Sequence, residues 1–132
     1  MRVRAAVLAL SLVIVESRAF SQGDFISKEI AVYPFNAPPA RATIIRARYK
    51  DIRPGMRVSD VKTILGEPDE IRPLYEPKVK NARLVGHTYC YVIRRLVKNG
   101  SANERQESLV RVSFSLDGSV TKVVEWGLGG GA

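Results

Sequence analysis

The chain holds one histidine, His87, and one cysteine, Cys90. A Cys–His nucleophilic pair would need these side chains to meet. Three residues apart on one strand, they have opposite parity and point to opposite faces. There is no second histidine to take the role. A zinc site needs three or four ligands, and one imidazole, one thiol and scattered carboxylates offer no recognisable spacing. Asp69-Glu70 are neighbours in sequence, and adjacent carboxylates seldom converge as an acid–base pair. Gly129-Gly130-Gly131 opens no helix and makes no phosphate loop. These residues predict a protein that is not an enzyme and takes no metal or cofactor. Charge is left as the main functional signal.

That charge is a net +8 over 132 residues. Arg94, Arg95 and Lys98 cluster at the end of a candidate strand. Arg46, Arg48, Lys50, Arg53 and Arg57 precede or open a candidate helix. Partner contact is expected at Arg72, Tyr75, Arg94 and Arg95, taken as exposed loop and basic positions. A solvated basic surface with no partner meaning is the competing reading.

The first residues choose among partners. Arg2 and Arg4 precede an apolar run from Ala5 to Val15, followed by a polar stretch to Ser21. This order reads as a signal peptide over residues 1–21. Ala19-Phe20-Ser21 fits the small-x-small rule, so cleavage is expected before Gln22, with a cut after Ala19 as the alternative. The run is short of the roughly 20 residues that span a bilayer. Glu16 and Arg18 are unusual in this position and keep an uncleaved N-terminal anchor open. No cysteine stands directly after the apolar run, between Val15 and Ser21, so no lipoprotein anchor is expected. Export points the positive charge toward acidic protein surfaces or anionic lipid, at about 1 kcal/mol per well-placed charge on lipid. Nucleic acid is not an expected partner. The expected location is the periplasm or the outer-membrane surface.

Residues 22–40 carry Pro34, Pro38 and Pro39 and read as an extended arm, because proline is excluded from helix interiors. Residues 43–50 fit either a short helix or a strand. Val58, Val61, Ile64 and Leu65 form one apolar helical face, with Asp60 in the first turn, Gly66 at the stop and Pro68 beyond it. A helix is expected over 57–65. Residues 67–83, with three prolines, read as a long irregular connection. Alternating patterns over 85–97, 108–116 and 119–126 predict three strands, and Val120, Val124 and Trp126 are expected to share a face. Asp117-Gly118 is a hairpin signal. Asn99-Gly100-Ser101 matches a glycosylation sequon but reads first as a turn. Residues 127–132 read as a flexible tail. The expected class is α+β, with helix covering one face of a three-stranded antiparallel β-meander.

Ile52-Arg53-Pro54-Gly55-Met56, Val61, Ile64-Leu65-Gly66-Glu67-Pro68, Tyr89-Cys90-Tyr91 and Val112 through Val120 form an ordered series. It resembles the SmpA/OmlA (BamE-like) domain family, accessory lipoproteins of the outer-membrane β-barrel assembly machine. The pattern also recurs in small secreted proteins with a fold like that of β-lactamase inhibitory protein. The resemblance covers residues 50–124 and implies a domain over 41–126 built as two short helices on the meander. It tips 43–51 toward helix. It makes Gly55, Met56, Val61, Leu65, Gly66, Pro68, Tyr89, Tyr91 and Phe114 the fold motif. It implies a non-enzymatic protein-interaction module that assists outer-membrane or envelope assembly, with barrel-assembly subunits or other envelope proteins as partners. Arg57 stands where the family places a Ser or Thr helix cap. The missing lipidation cysteine and the long 67–83 connection are further departures. Two alternatives stand beside this reading. One is an inhibitor-like module that grips an exported enzyme through loop 67–83 or 99–107. The other is a basic peripheral binder of anionic lipid.

Overall fold

Proline decides where the first helix begins. Pro38 has extended backbone and Pro39 occupies the first turn, where a missing N–H costs nothing. The computed structural model describes residues 26–77 and 80–128. The expected signal peptide, its cleavage site and the last four residues lie outside these. The elements in order are β1 (Phe35–Asn36), α1 (Pro39–Arg48), a 3-10 turn (Tyr49–Asp51), α2 (Val58–Leu65), β2 (Glu70–Tyr75), β3 (Leu84–Arg95), α3 (Ala102–Arg105), β4 (Ser108–Ser115) and β5 (Val120–Trp126).

The α+β class stands, and the sheet is wider than three strands. β3, β4 and β5 pair antiparallel in sequence order, and both β1 and β2 pair antiparallel with the other edge of β3. The sheet therefore has five strands. β2 lies inside the stretch expected to be irregular. Its Pro73 is tolerated because β2 is an outer strand, where one side needs no ladder N–H.

One face of the sheet carries the main core. Tyr89, Tyr91, Val110, Val112, Phe114 and Val120 pack there against Ile45 of α1 and Val58, Val61 and Leu65 of α2. Each such side chain contributes about 1.5–3 kcal/mol by leaving water. His87 belongs to this face and stacks on Phe114 at 5.0 Å between ring centroids. Cys90 lies on the other face, buried with Val92 and Leu109.

The motif residues do specific work. Gly55 has φ +93, a backbone that other residues rarely adopt, and its N–H donates to the Val120 carbonyl. Gly66 ends α2 at φ +85. Its carbonyl accepts a 2.9 Å hydrogen bond from the Tyr91 hydroxyl, which ties the helix end to the sheet. Met56 is half-buried against the core, and Pro68 is fully buried.

Arg57 cannot cap α2, because a guanidinium has no acceptor. Half of the cap survives, since the Arg57 N–H donates to the Asp60 carboxylate at 2.9 Å. The Arg57 guanidinium instead donates to the Asp117 carbonyl at 2.8 Å and to Ser119 Oγ at 3.2 Å. It pins the start of α2 to the β4–β5 turn. Asp60→Ala is expected to cost about 1 kcal/mol, read as a lower urea midpoint with an unchanged slope.

Of four expectations about these segments, the second is met and the others are corrected. First, the extended arm expected to run to residue 40 ends earlier, and its described residues pack on the sheet. Helix α1 begins at Pro39, and Ile30, Tyr33 and Phe35 cover the second face of the sheet. The Lys28 and Ile71 backbones exchange hydrogen bonds of 3.0 and 3.1 Å. Second, 43–50 is helical for its greater part, as the continuation of α1. Third, Val124 and Trp126 do not share a face with Val120. A bulge between Ser113 and Phe114 turns Val124 and Trp126 to the second face, where they are exposed. Fourth, the tail does not begin at 127, because Leu128 is 7% exposed and joins the main core.

Candidate functional site

The second face of the sheet is half covered. The arm closes the end near Val92 and Leu109. The open half carries two cross-strand rows of paired residues. One runs Arg72, Thr88, Ser113, Lys122 and the next runs Glu70, Cys90, Arg111, Val124. A cavity of about 540 Å³ opens here, lined among others by Arg72, Thr88, Cys90, Arg95, Arg105 and Arg111, with Lys98 and Glu107 at its side.

A buried ion network forms its floor. Arg95 is 4% exposed and Glu70 is 1% exposed. Arg95 donates from Nη1 to Glu70 Oε2 at 2.9 Å and from Nε to Glu107 Oε2 at 2.5 Å. Arg95 Nη1 also reaches the Tyr33 hydroxyl of the arm at 3.3 Å. Glu70 accepts from Arg72 at 3.2 Å and from the Ile30 N–H at 3.5 Å. Arg105 lies 3.5 Å from the second oxygen of Glu107. Burial pushes the Glu70 carboxyl up, but the bond and charge of Arg95 and the charge of Arg72 overcome this and hold it below its ordinary value. Burial likewise works against the charge of Arg95, and Glu70, Tyr33 and Glu107 outweigh it and keep the guanidinium charged.

A bulge delivers Arg95 to this face. Strict alternation from Tyr91 would place Arg95 in the main core. The register slips between Val92 and Arg94, so one extra residue in β3 swaps the faces beyond it. Arg95 then meets Glu70, and Arg94 turns away into solvent.

The cations outnumber the carboxylates. Arg72, Arg95, Lys98, Arg105 and Arg111 line the cavity with one glutamate, and Glu70 lies beneath. Among the described residues Arg111 forms no ion pair; its side chain lies beside the Cys90 thiol. Burial pushes that thiol up, away from the reactive thiolate form, and the nearby Arg111 offsets this only in part. Among the described residues no three His, Cys, Asp or Glu side chains gather where they could hold a metal ion. No helix among them is long and apolar enough to cross a membrane.

Of the expected contact positions, Arg72 lines the cavity from β2, a strand rather than a loop. Arg95 is corrected from exposed to buried. Tyr75 is half-exposed at the far end of β2 and Arg94 is exposed on the other side, so neither joins the cavity. Sequence reading missed Glu70, Thr88, Arg105, Glu107 and Arg111. Arg111 had a signal, as the lone charge within an apolar-alternating strand. Glu107 and Arg105 had none, because a one-turn helix and a long-range pairing place them.

Against known proteins, neither a family model nor a curated protein sequence matches this chain.

Proposed function

We propose that this chain is an exported, non-enzymatic interaction module of the cell envelope with an SmpA/OmlA-like core, and that it grips an anionic partner through the arginine-lined cavity. The observation that carries this reading is the surplus of cations in a concave, preformed site. A surface charge that serves only solubility has no need of a cavity, nor of a buried ion network that fixes its floor. The helix-covered sheet and the positions of Gly55, Gly66 and Tyr91 support the SmpA/OmlA comparison at the level of fold. Export rests on the N-terminal sequence pattern. A role as an accessory in outer-membrane assembly follows from that resemblance.

The test is recovery of partners from envelope extracts with the tagged protein, alongside cell fractionation and N-terminal sequencing of the mature form. Barrel-assembly subunits or other envelope proteins are expected with the wild type. They are expected to be lost with Arg111→Glu and retained with Arg46→Glu, which makes the same charge change on an exposed position of α1. Recovery no better than background, or a protein that stays in the cytosol, would sink the proposal.

A further inference from the structure

We infer that the open half of the second sheet face is a binding site for a tetrahedral oxyanion, a phosphate group above all, held between Arg72 and Arg111 over the Thr88 hydroxyl. This rests on the reading of the cavity as an anionic contact site and names the chemistry it recognises.

The placement is set by the strands. β2 and β4 flank β3, so Arg72 and Arg111 stand on opposite sides of it and two residues apart along it, with backbones about 12 Å apart. Thr88 is the direct partner of Arg72 across β2–β3, and its neighbour along the same face of β3 is Cys90, the direct partner of Arg111. A group resting over Thr88 and Cys90 therefore lies within the span of both guanidinium groups. The Thr88 and Ser113 hydroxyls are 3.3 Å apart and share one hydrogen bond, so one of the two protons remains to be donated elsewhere.

The donor set favours a tetrahedral ligand over a planar one. A carboxylate presents its oxygens in one plane and matches a single guanidinium fork. A phosphate presents oxygens in three directions and can accept from two forks and a hydroxyl together. The carboxylates that the fold supplies are already engaged. Glu70 holds Arg95 and one edge of Arg72, through Nε and Nη2, and Glu107 holds Arg95 and Arg105. That leaves Nη1 of Arg72 and the part of the Arg111 fork that does not meet the Cys90 thiol for a ligand. Lys98 and Arg105 at the rim add long-range attraction.

Calorimetric titration of the purified protein with inorganic phosphate at low ionic strength tests this, beside a titration with acetate. One saturable site is expected, with acetate much weaker and with affinity that falls as salt rises. Arg111→Glu is expected to weaken phosphate by about tenfold or more, and Thr88→Val by a smaller factor. Both variants should keep the wild-type unfolding midpoint to within a few degrees, and Arg46→Glu should bind as the wild type does. Flotation with phosphatidylcholine vesicles containing phosphatidic acid separates the sources. Vesicle binding that inorganic phosphate displaces assigns the site to a lipid headgroup, and phosphate binding without vesicle binding assigns it to a soluble phosphorylated compound. Absence of saturable phosphate binding, equal binding of acetate, or equal weakening by Arg46→Glu overturns the inference. If envelope partners still depend on Arg111 while phosphate does not bind, this inference falls and the interaction reading stands. Phosphate binding that needs Arg111, with no envelope partner recovered, has the opposite meaning.

Discussion

Arg95→Ala is expected to remove about 3–5 kcal/mol of folding stability at neutral pH, seen as a lower urea midpoint. The loss comes less from missing attraction than from what remains. Glu70, 1% exposed, would keep only the half-exposed Arg72 and one backbone N–H. Glu107 would keep only the longer contact to Arg105. Two carboxylates would then face a low-dielectric interior with too little compensation. Replacing both Glu70 and Arg95 with leucine removes the more deeply buried of the two stranded carboxylates and is expected to recover part of the loss, with Glu107 still left to Arg105 alone. If the single and double variants were equally unstable, the desolvation argument would be wrong.

The pH dependence gives a second readout. In the wild type the Glu70 carboxyl titrates below its ordinary value of 4.5. The unfolded chain therefore takes up the proton first as pH falls, and stability present above about pH 4.5 is lost below it. Glu76, Glu104 and Asp117 act in the same direction, held low by hydrogen bonds from Arg83, Ser101 and Ser115 respectively. In Arg95→Ala the burial of Glu70 wins and its carboxyl moves up. Burial holds the His87 imidazole below its ordinary value and so weakens both proteins below about pH 6.5, but mild acidification should narrow the gap between the variant and the wild type. Urea midpoints measured from pH 7 down to pH 5 check the sign.

Gly86→Ala is the second substitution expected to be severe. A Cβ at this position would sit 1.8 Å from the Phe114 carbonyl oxygen and 3.3 Å from the Ser115 Cα. Both obstacles are backbone atoms of β4, so no side-chain rotation relieves them. β3 must separate from β4 at the Gly86–Ser115 pair, next to the His87–Phe114 stack. Phe114 is fully buried and contacts Tyr89 edge-to-face at 4.9 Å, so the displacement reaches the centre of the main core. The expected cost is about 3 kcal/mol or more, at the upper end of overpacking penalties. Thermal unfolding by circular dichroism checks it. As a control, Gly55→Ala meets no atom within 4 Å. It carries only the strain of its positive φ, about 1–2 kcal/mol. Similar losses at both glycines would show that the close β3–β4 approach is not what demands Gly86.

Much of the fold can be read in short windows of the chain. Val58, Val61 and Leu65 repeat at helical spacing, and all three are buried. Gly66 stops the helix by its own backbone preference. Asp117-Gly118 makes the β4–β5 turn, with Gly118 at φ +88. Tyr89, Tyr91, Val110, Val112 and Phe114 alternate and share the core face. Such signals depend on residues a few positions apart, and so they survive without knowledge of the rest of the molecule.

The cavity was far less legible. Arg72 and Arg95 stood out as cations, but nothing local distinguished them from Arg94 or Tyr75, which lie elsewhere. β2 was hidden by Pro73, because only its outer position makes that proline harmless. The arm lacks regular periodicity, since a single apolar side chain such as Ile30 suffices to anchor it over the second face.

The sequence alone therefore determined the α2 helix, its stop, the hairpin and the core face of the central strands. Each follows from backbone preference and local hydrophobic period. Tertiary structure alone decided which face Arg95 occupies and which face Trp126 occupies. A one-residue bulge reverses every side chain beyond it, and the position of a bulge is chosen by pairing with a distant strand. The positive charge that first marked this chain is spread along its length. The same bulge, together with β2 and α3, brings part of it to one side of the sheet, around two glutamates some 37 residues apart in sequence.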